Sequence, residues 1–202
     1  MRAGKGGLAR QTQERYKRAQ YGFSGGPQQP CQRMRLALQA LNDLERAGLL
    51  RRYAIGGAMG ATFYLEPVST FDLDIFALYH HKEPILTLTP IYEFLRARGY
   101  QPHGESVVIG NWPVQFLPAE TPLLREAVDQ APAHDYEGVP TRVMSAEHLM
   151  AIALQAGRAK DHARLVAFVE AGVADVARLE DILARHGLRE AWQRFKSRYL
   201  DE

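Results

Sequence analysis

One short segment, residues 71–78, constrains the fold more than any other part of the chain. Apolar residues alternate with acids in it, with Phe71, Leu73 and Ile75 on one face of a predicted strand and Asp72 and Asp74 on the other. Such a strand buries one face and leaves two carboxylates on an open face, with their Cα atoms about 6.5–7 Å apart. Paired carboxylates can hold a divalent cation, and oxygen ligands of this kind suit Mg²⁺ that arrives with substrate phosphates. A strand with one solvated face is the simpler alternative.

A pair of glycines precedes these carboxylates. Gly56 and Gly57 lie between a predicted strand, residues 52–55, and a predicted helix, residues 58–65. Backbone N–H groups at the start of a helix can bind phosphate oxygens, and the helix dipole favours their negative charge. A phosphate-binding turn followed by a carboxylate pair on the next strand is the arrangement that a nucleoside triphosphate with Mg²⁺ requires.

The remaining pattern predicts an α/β body followed by helices. A helix near residues 34–48 opens the body, a second begins at Thr89-Pro90 and ends at Gly99, and Gly110-Asn111 connects the strands of a hairpin. A further helix, residues 122–130, and strand, residues 139–143, complete the body. From Ser145 onward, about four helices are separated near Gly157, Gly172 and Gly187. We therefore expect a mixed β-sheet flanked by helices over residues 34–143 and a C-terminal helical module over residues 144–202.

Charge is distributed unevenly along the chain. The net charge of the 202 residues is +2, yet residues 1–30 alone carry six basic groups and one acid. We interpret residues 1–33 as a basic, disordered leader, with phosphate contacts to nucleic acid as the alternative. Cys31 is the only cysteine, which excludes an internal disulfide, and no apolar stretch is long enough to span a membrane. These features favour a cytoplasmic protein.

Two segments resemble a known family. The stretch YAIGGAMGATFYLEPVSTFDLDIFAL resembles the signature of the nucleotidyltransferase fold, in which a glycine turn, a helix and an Asp-x-Asp strand follow one another. The resemblance extends over about residues 34–200. It implies that Gly56 and Gly57 lie under the triphosphate and that Asp72 and Asp74 bind Mg²⁺ and carry catalysis.

The second segment, SAEHLMAIALQAGRAKDHARL, is similar to the helix pair after the catalytic core of minimal and abortive-infection-type nucleotidyltransferases, where an Arg-x-Lys-Asp cluster recurs. By this resemblance Arg158 and Lys160 face the nucleotide phosphates, and Asp161 orients them. A solvated first helical turn is the alternative explanation of the same residues.

The sequence departs from the family at one position. A third carboxylate is common on a later strand, but the matching segment WPVQFLP carries Gln115. With a two-residue hairpin turn, Gln115 pairs with Ser106, and Glu105 pairs with Phe116 on the opposite face, so that Glu105 is excluded as a substitute. Glu120 lies beyond the strand and remains a candidate.

These observations predict an enzyme that uses Mg²⁺ to move a nucleoside monophosphate from a nucleoside triphosphate to a hydroxyl. The acceptor could be an antibiotic, a protein side chain or a tRNA end. The alternative is a nucleotide-binding, non-catalytic or regulatory member, such as a toxin–antitoxin component with an antitoxin partner. A dinucleotide-binding domain is disfavoured because the segment IGGAMG lacks the Gly-x-Gly-x-x-Gly spacing.

Overall fold

The computed structural model describes residues 30–66, 70, 72–80 and 88–200. Its first helix, α1 (Pro30–Arg46), begins inside the segment predicted as a leader. Residues 1–29, which carry most of that prediction, lie outside the described residues, as does Phe71.

The described part of the chain contains eight helices and seven strands, and none of these helices is long and apolar enough to cross a membrane. After α1 the elements are β1 (Arg52–Ile55), α2 (Gly57–Ala61), β2 (Leu73–Leu78), α3 (Thr89–Arg96), β3 (Gln101–His103), β4 (Ser106–Ile109), β5 (Trp112–Pro118), α4 (Pro122–Asp129), β6 (Ala133–Tyr136), β7 (Val139–Arg142), α5 (Ala146–Ala156), α6 (Ala159–Ala171), α7 (Val176–Arg185) and α8 (Arg189–Tyr199).

Five strands form one mixed sheet in the order β1-β2-β5-β4-β3. β2 is antiparallel to β1 and parallel to β5, whereas β4 is antiparallel to both β5 and β3. The predicted hairpin between β4 and β5 is confirmed, and its turn residues Gly110 and Asn111 have φ values of 56° and 68°. Positive φ at both positions is what a two-residue type I′ turn requires.

The two faces of this sheet have different surroundings. Tyr53, Leu73, Ile75 and Val114 are fully buried on one face, where they share a core with residues of α1 and α3. A second core joins α4 and the C-terminal helices to Ala54 and other small residues near the opposite face. The sheet therefore has one closed face, and its other face lies toward the C-terminal helices.

The C-terminal helices follow the predicted pattern. Ser145 caps α5 by accepting a hydrogen bond from the His148 N–H, and Gly157 and Gly172 end α5 and α6 in the left-handed conformation. Leu179 and Trp192 are buried and belong to the core of α7 and α8. The predicted fold class, a mixed sheet flanked by helices and followed by a helical segment, is confirmed.

Three elements differ from the prediction. The short strands β3 and β6 have no counterpart in it, and β3 contains Pro102 at the edge of the sheet, where proline is tolerated. Helix α2 ends at Ala61 and does not reach Leu65. The chain tightens there into turns, because the Thr62 N–H and hydroxyl both donate to the Met59 carbonyl, at 3.2 and 2.7 Å.

Candidate active site

Asp72 immediately precedes β2 and Asp74 is its second residue, on the side of the sheet that faces the C-terminal helices. Asp72 is exposed and Asp74 is half-buried, while Leu73 and Ile75 are fully buried on the opposite face. The predicted alternation is confirmed from Asp72 onward. Burial and the charge of Asp72 raise the pKa of Asp74, against the opposing effect of three nearby cations. This corner of the sheet therefore favours the arrival of further positive charge.

The two glycines have different roles around these carboxylates. Gly57 has a φ of 57°, and a Cβ atom there would lie 1.8 Å from Asp74 Oδ2, so only glycine fits. Gly56 is buried, and its N–H donates to the Asp74 carbonyl at 3.0 Å. A Cβ atom on Gly56 would lie 2.6 Å from the Phe76 ring. Gly57 thus lies at the surface of the site, whereas Gly56 lies behind it with its N–H already paired.

A cationic wall faces the carboxylates, formed by Arg158 at the N-cap of α6 and by Lys160 and Arg164 within that helix. At its centre Asp161 is almost fully buried, and its carboxylate accepts the Arg158 Nε–H at 2.6 Å. Arg164 Nη1 lies 3.5 Å from the other carboxylate oxygen. Asp161 therefore orients Arg158, as the resemblance implied, but its second partner is Arg164, where Lys160 was expected.

Arg164 is a site residue that the sequence reasoning missed. It follows Asp161 by three positions and Lys160 by four, and residues at these spacings share one helix face. A helix over this segment is enough to predict that Arg164 shares a face with Lys160 and Asp161.

A cleft of about 350 Å³ separates the carboxylates from the cations. Six of the seven residues predicted for the site line it, all except Gly56. The lining residues are Gly57, Ala58, Asp72, Asp74, Phe76, Gln115 and Leu117 on the sheet side and Met144, Leu149, Ile152, Ala153, Ala156, Arg158, Lys160, Asp161 and Arg164 on the helical side.

Gln115 lies opposite Asp74 in the parallel register of β2 and β5, and it lines the cleft. It also pairs with Ser106, as expected. The predicted pairing of Glu105 with Phe116 on the opposite face is not formed, because β4 begins at Ser106 and strand alternation does not extend into the turn that precedes it. The Glu105 Oε2 atom lies 3.5 Å from Gln115 Nε2.

The chemistry of the two carboxylates fits Mg²⁺. Within the residues that the structure describes, no group of three or more His, Cys, Asp or Glu side chains could hold a metal ion. Mg²⁺ commonly binds through one or two carboxylates together with substrate phosphates and water. Asp72 and Asp74 on one edge of an open cleft match that donor set, whereas a closed structural metal site is not formed.

The mixed sheet and its flanking helices form an α/β fold of the nucleotidyltransferase type, as comparison with solved structures shows. It is similar to the crystal structure of an antigenic nucleotidyltransferase-like protein from Paracoccidioides brasiliensis, with a TM-score of 0.53 and 12% identity over 81% of this chain and 92% of that one. Two weaker similarities are to ANT(2'')-Ia in complex with adenylyl-2''-tobramycin (TM-score 0.48, 16% identity, 81% and 97% covered) and to the Megavirus polyadenylate synthase (TM-score 0.41, 12% identity, 87% and 39% covered). No family profile and no curated protein matches the sequence. The similarity to the Paracoccidioides brasiliensis protein therefore establishes the fold.

Proposed function

We propose that the protein is a nucleotidyltransferase, which moves a nucleoside monophosphate from a nucleoside triphosphate to a hydroxyl acceptor and releases pyrophosphate. One observation carries the proposal: two carboxylates and three cations line opposite walls of a single open cleft. A triphosphate needs this pairing, because its own charge requires cations on one side and a divalent cation held by carboxylates on the other.

Each residue has a role in this proposal. Arg158 and Lys160 bind phosphate oxygens, and the buried Asp161 fixes the Arg158 guanidinium for charge-assisted hydrogen bonds. Asp72 and Asp74 hold Mg²⁺, which would neutralise charge that develops on the phosphate oxygens. Gly57 leaves the space that the Asp74 carboxylate occupies.

The subfamily and the acceptor belong to the same proposal. The Arg-x-Lys-Asp segment that contributes Arg158 and Lys160 supports a place among the minimal or abortive-infection-type nucleotidyltransferases. The candidate acceptors are an antibiotic, a protein side chain and a tRNA end, each of which presents a free hydroxyl.

A second candidate function is nucleotide binding without transfer, as in a regulatory protein or a toxin–antitoxin component with an antitoxin partner. Gln115 favours this alternative, because it lies beside Asp74 in the cleft and an amide can neither take up a proton nor supply negative charge.

Label transfer tests the proposal. The protein is incubated with Mg²⁺ and each α-³²P-labelled nucleoside triphosphate, with an antibiotic panel, cell protein or total tRNA as the acceptor. We expect labelled acceptor with the wild type and with the control Lys196→Ala, which lies outside the cleft on α8, and a large loss with Lys160→Ala.

The outcomes separate the two functions. Mg²⁺-dependent binding of a nucleoside triphosphate without labelled product supports the non-catalytic alternative. Transfer that persists after Asp72→Asn with Asp74→Asn contradicts the site, and an absence of nucleotide binding contradicts both functions.

A further inference from the structure

The sheet register places four polar residues in one row that crosses the face bearing Asp74. Asp74 lies opposite Gln115, Gln115 opposite Ser106, and Ser106 opposite His103. Directly paired residues on neighbouring strands point to the same face. The row therefore runs from the carboxylates of the cleft to the β3–β4 hairpin at the edge of the sheet.

Glu105 lies in the turn of this hairpin. It follows Gly104, whose φ is 60°, and precedes the first residue of β4. Its side chain is exposed, and the Gln115 Nε2–H donates toward Glu105 Oε2 at a distance of 3.5 Å. This contact brings a carboxylate beside Gln115, the strand position at which the chain itself has none.

We propose that Glu105 accepts the proton of the acceptor hydroxyl and that Gln115 positions it. The inference rests on the proposed transfer function and deepens it. Gln115 reaches the cleft but cannot take up a proton, whereas the carboxylate that it contacts can. Gln115 thus reaches the cleft and Glu105 takes up the proton. One carboxylate at position 115 would perform both tasks alone.

The transfer step balances with this assignment. The acceptor oxygen forms a bond to the α-phosphorus, the bond from that phosphorus to the α–β bridging oxygen breaks, and pyrophosphate leaves with the electron pair. The hydroxyl proton moves to a Glu105 carboxylate oxygen. Because Glu105 is exposed, it can pass the proton to solvent before the next turnover.

Two measurements on Glu105→Gln test the assignment. The first is formation of labelled nucleoside monophosphate from a mixture of the four α-³²P-labelled triphosphates with Mg²⁺, with water as the acceptor. The second is calorimetric affinity for the Mg²⁺ complexes of the four α,β-methylene triphosphates. We expect product formation to fall about 10²–10⁴-fold, the usual contribution of a general base, with affinity unchanged.

Further variants distinguish proton transfer from a structural effect. The exchanged pair, Glu105→Gln with Gln115→Glu, returns a carboxylate to the contact and should recover product formation. Gln115→Met should lower kcat about 10–100-fold, as loss of a supporting hydrogen bond does, and leave KM unchanged. Glu137→Gln, in the exposed β6–β7 turn, should keep the wild-type rate.

The proposal is overturned if Glu105→Gln keeps the wild-type rate, or if His103→Gln loses activity in its place. In either case loss of activity in the Asp72→Asn, Asp74→Asn variant would leave the transfer function standing. If the wild type binds the methylene analogues but forms no product from the four triphosphates, either with water or with the antibiotic, protein and tRNA acceptors, Glu105 has no proton to accept and both proposals are overturned. If no analogue binds, the cleft does not bind nucleotides, and the proposed function is overturned together with the role of Glu105.

Discussion

Two polar clusters meet helix α5, and they differ in how their charges are paired. The cleft contains Asp72, Asp74, Arg158, Lys160 and Arg164. The helix joint links α4, α5 and α7, and contains Glu126, Ser145, His148, Arg185 and His186. Both clusters combine carboxylates with cationic or imidazole groups, so composition alone does not separate them.

Both oxygens of the Glu126 carboxylate in the helix joint have hydrogen-bond partners. One Glu126 oxygen lies 2.6 Å from Arg185 Nη2 and 3.3 Å from His148 Nε2, and the other lies 2.8 Å from His186 Nε2. Burial acts to raise the pKa of Glu126, but the hydrogen bonds from Arg185, His186 and His148 outweigh it and lower the pKa to about 2. Ser145 Oγ, 3.0 Å from His148 Nδ1, extends this chain and is 4% exposed, so it caps a helix and is closed to substrate.

For Asp74 in the cleft, the effects that raise the pKa outweigh those that lower it. Burial and its neighbour Asp72 raise the pKa of Asp74, and the cations that oppose this effect lie across an open cavity. A carboxylate with satisfied partners stabilises a fold, whereas one with a raised pKa beside an open cavity is suited to a ligand. The comparison indicates a structural role for Glu126 and supports the proposal that Asp74 binds a ligand.

The largest effect that we expect is on ligand binding at the cleft. Asp72→Asn with Asp74→Asn removes both proposed Mg²⁺ ligands while leaving the strand and its buried face intact. Calorimetry with Mg²⁺ and a nucleoside triphosphate should show binding by the wild type and none by the double variant. Unchanged affinity would mean that these carboxylates do not hold the metal.

The second prediction concerns stability at the helix joint. Glu126→Ala leaves Arg185, His148 and His186 without their shared acceptor, and we expect it to lower the free energy of unfolding by about 2–3 kcal/mol. Asp129→Ala, on the same helix but in an exposed ion pair with Arg51, should cost less than about 1 kcal/mol. Urea denaturation of both variants measures the difference, and equal losses would contradict the special role of Glu126.

Most of the charged residues of the cleft could be predicted from the sequence, but the contacts of the helix joint could not. Asp72 and Asp74 are visible because strand alternation is local, and Arg158 and Lys160 because the resemblance extends into α6. The contacts of Glu126 join residues 22 and 60 positions apart, and no local pattern indicates such pairs. Such contacts depend on how the helices pack.

The hairpin shows a different limit. The register of Gln115 with Ser106 followed from turn length, and the structure confirms it. The position of Glu105 did not follow, because alternation holds only within a strand and β4 starts one residue later. The parity argument was extended beyond the end of the strand, and it therefore missed the contact between Glu105 and Gln115.

The third prediction is a pH dependence that arises at the helix joint. Burial lowers the pKa of His148 below its usual 6.5, against the opposing effect of Glu126. Below pH 6.5 the unfolded chain therefore binds a proton at this position that the folded chain does not, so stability falls as the pH falls through that value. Glu126 adds to this loss only below about pH 4.5, as the pH falls toward its folded pKa of about 2.

Urea denaturation at pH 7.5 and pH 5.5 measures the His148 contribution. We expect the wild type to lose stability between these values and His148→Gln to lose less. His103→Gln, which alters an exposed histidine on β3, should follow the wild type. A wild-type stability that does not change between pH 7.5 and pH 5.5 would contradict the predicted loss of stability at lower pH.

The smallest expected effect distinguishes the two carboxylates most directly. Because the folded state raises the pKa of Asp74, its charged form is disfavoured there, and Asp74→Asn should stabilise the metal-free protein at pH 7. A change below about 1 kcal/mol corresponds to a rise of about 2 °C in melting temperature for a chain of this length. Glu126→Gln should shift the melting temperature in the opposite direction under the same conditions.

Added ligand should make the wild type more stable than Asp74→Asn, the reverse of the order expected without metal. With Mg²⁺ and a nucleoside triphosphate the wild type gains stability by mass action, and Asp74→Asn gains little because its metal ligand is lost. Thermal melts of wild type, Asp74→Asn and the exposed control Asp129→Asn, in EDTA and then with Mg²⁺ and nucleotide, measure both effects. If Asp74→Asn is less stable than the wild type in EDTA, Asp74 supports the fold as Glu126 does, and the distinction between the cleft and the helix joint fails.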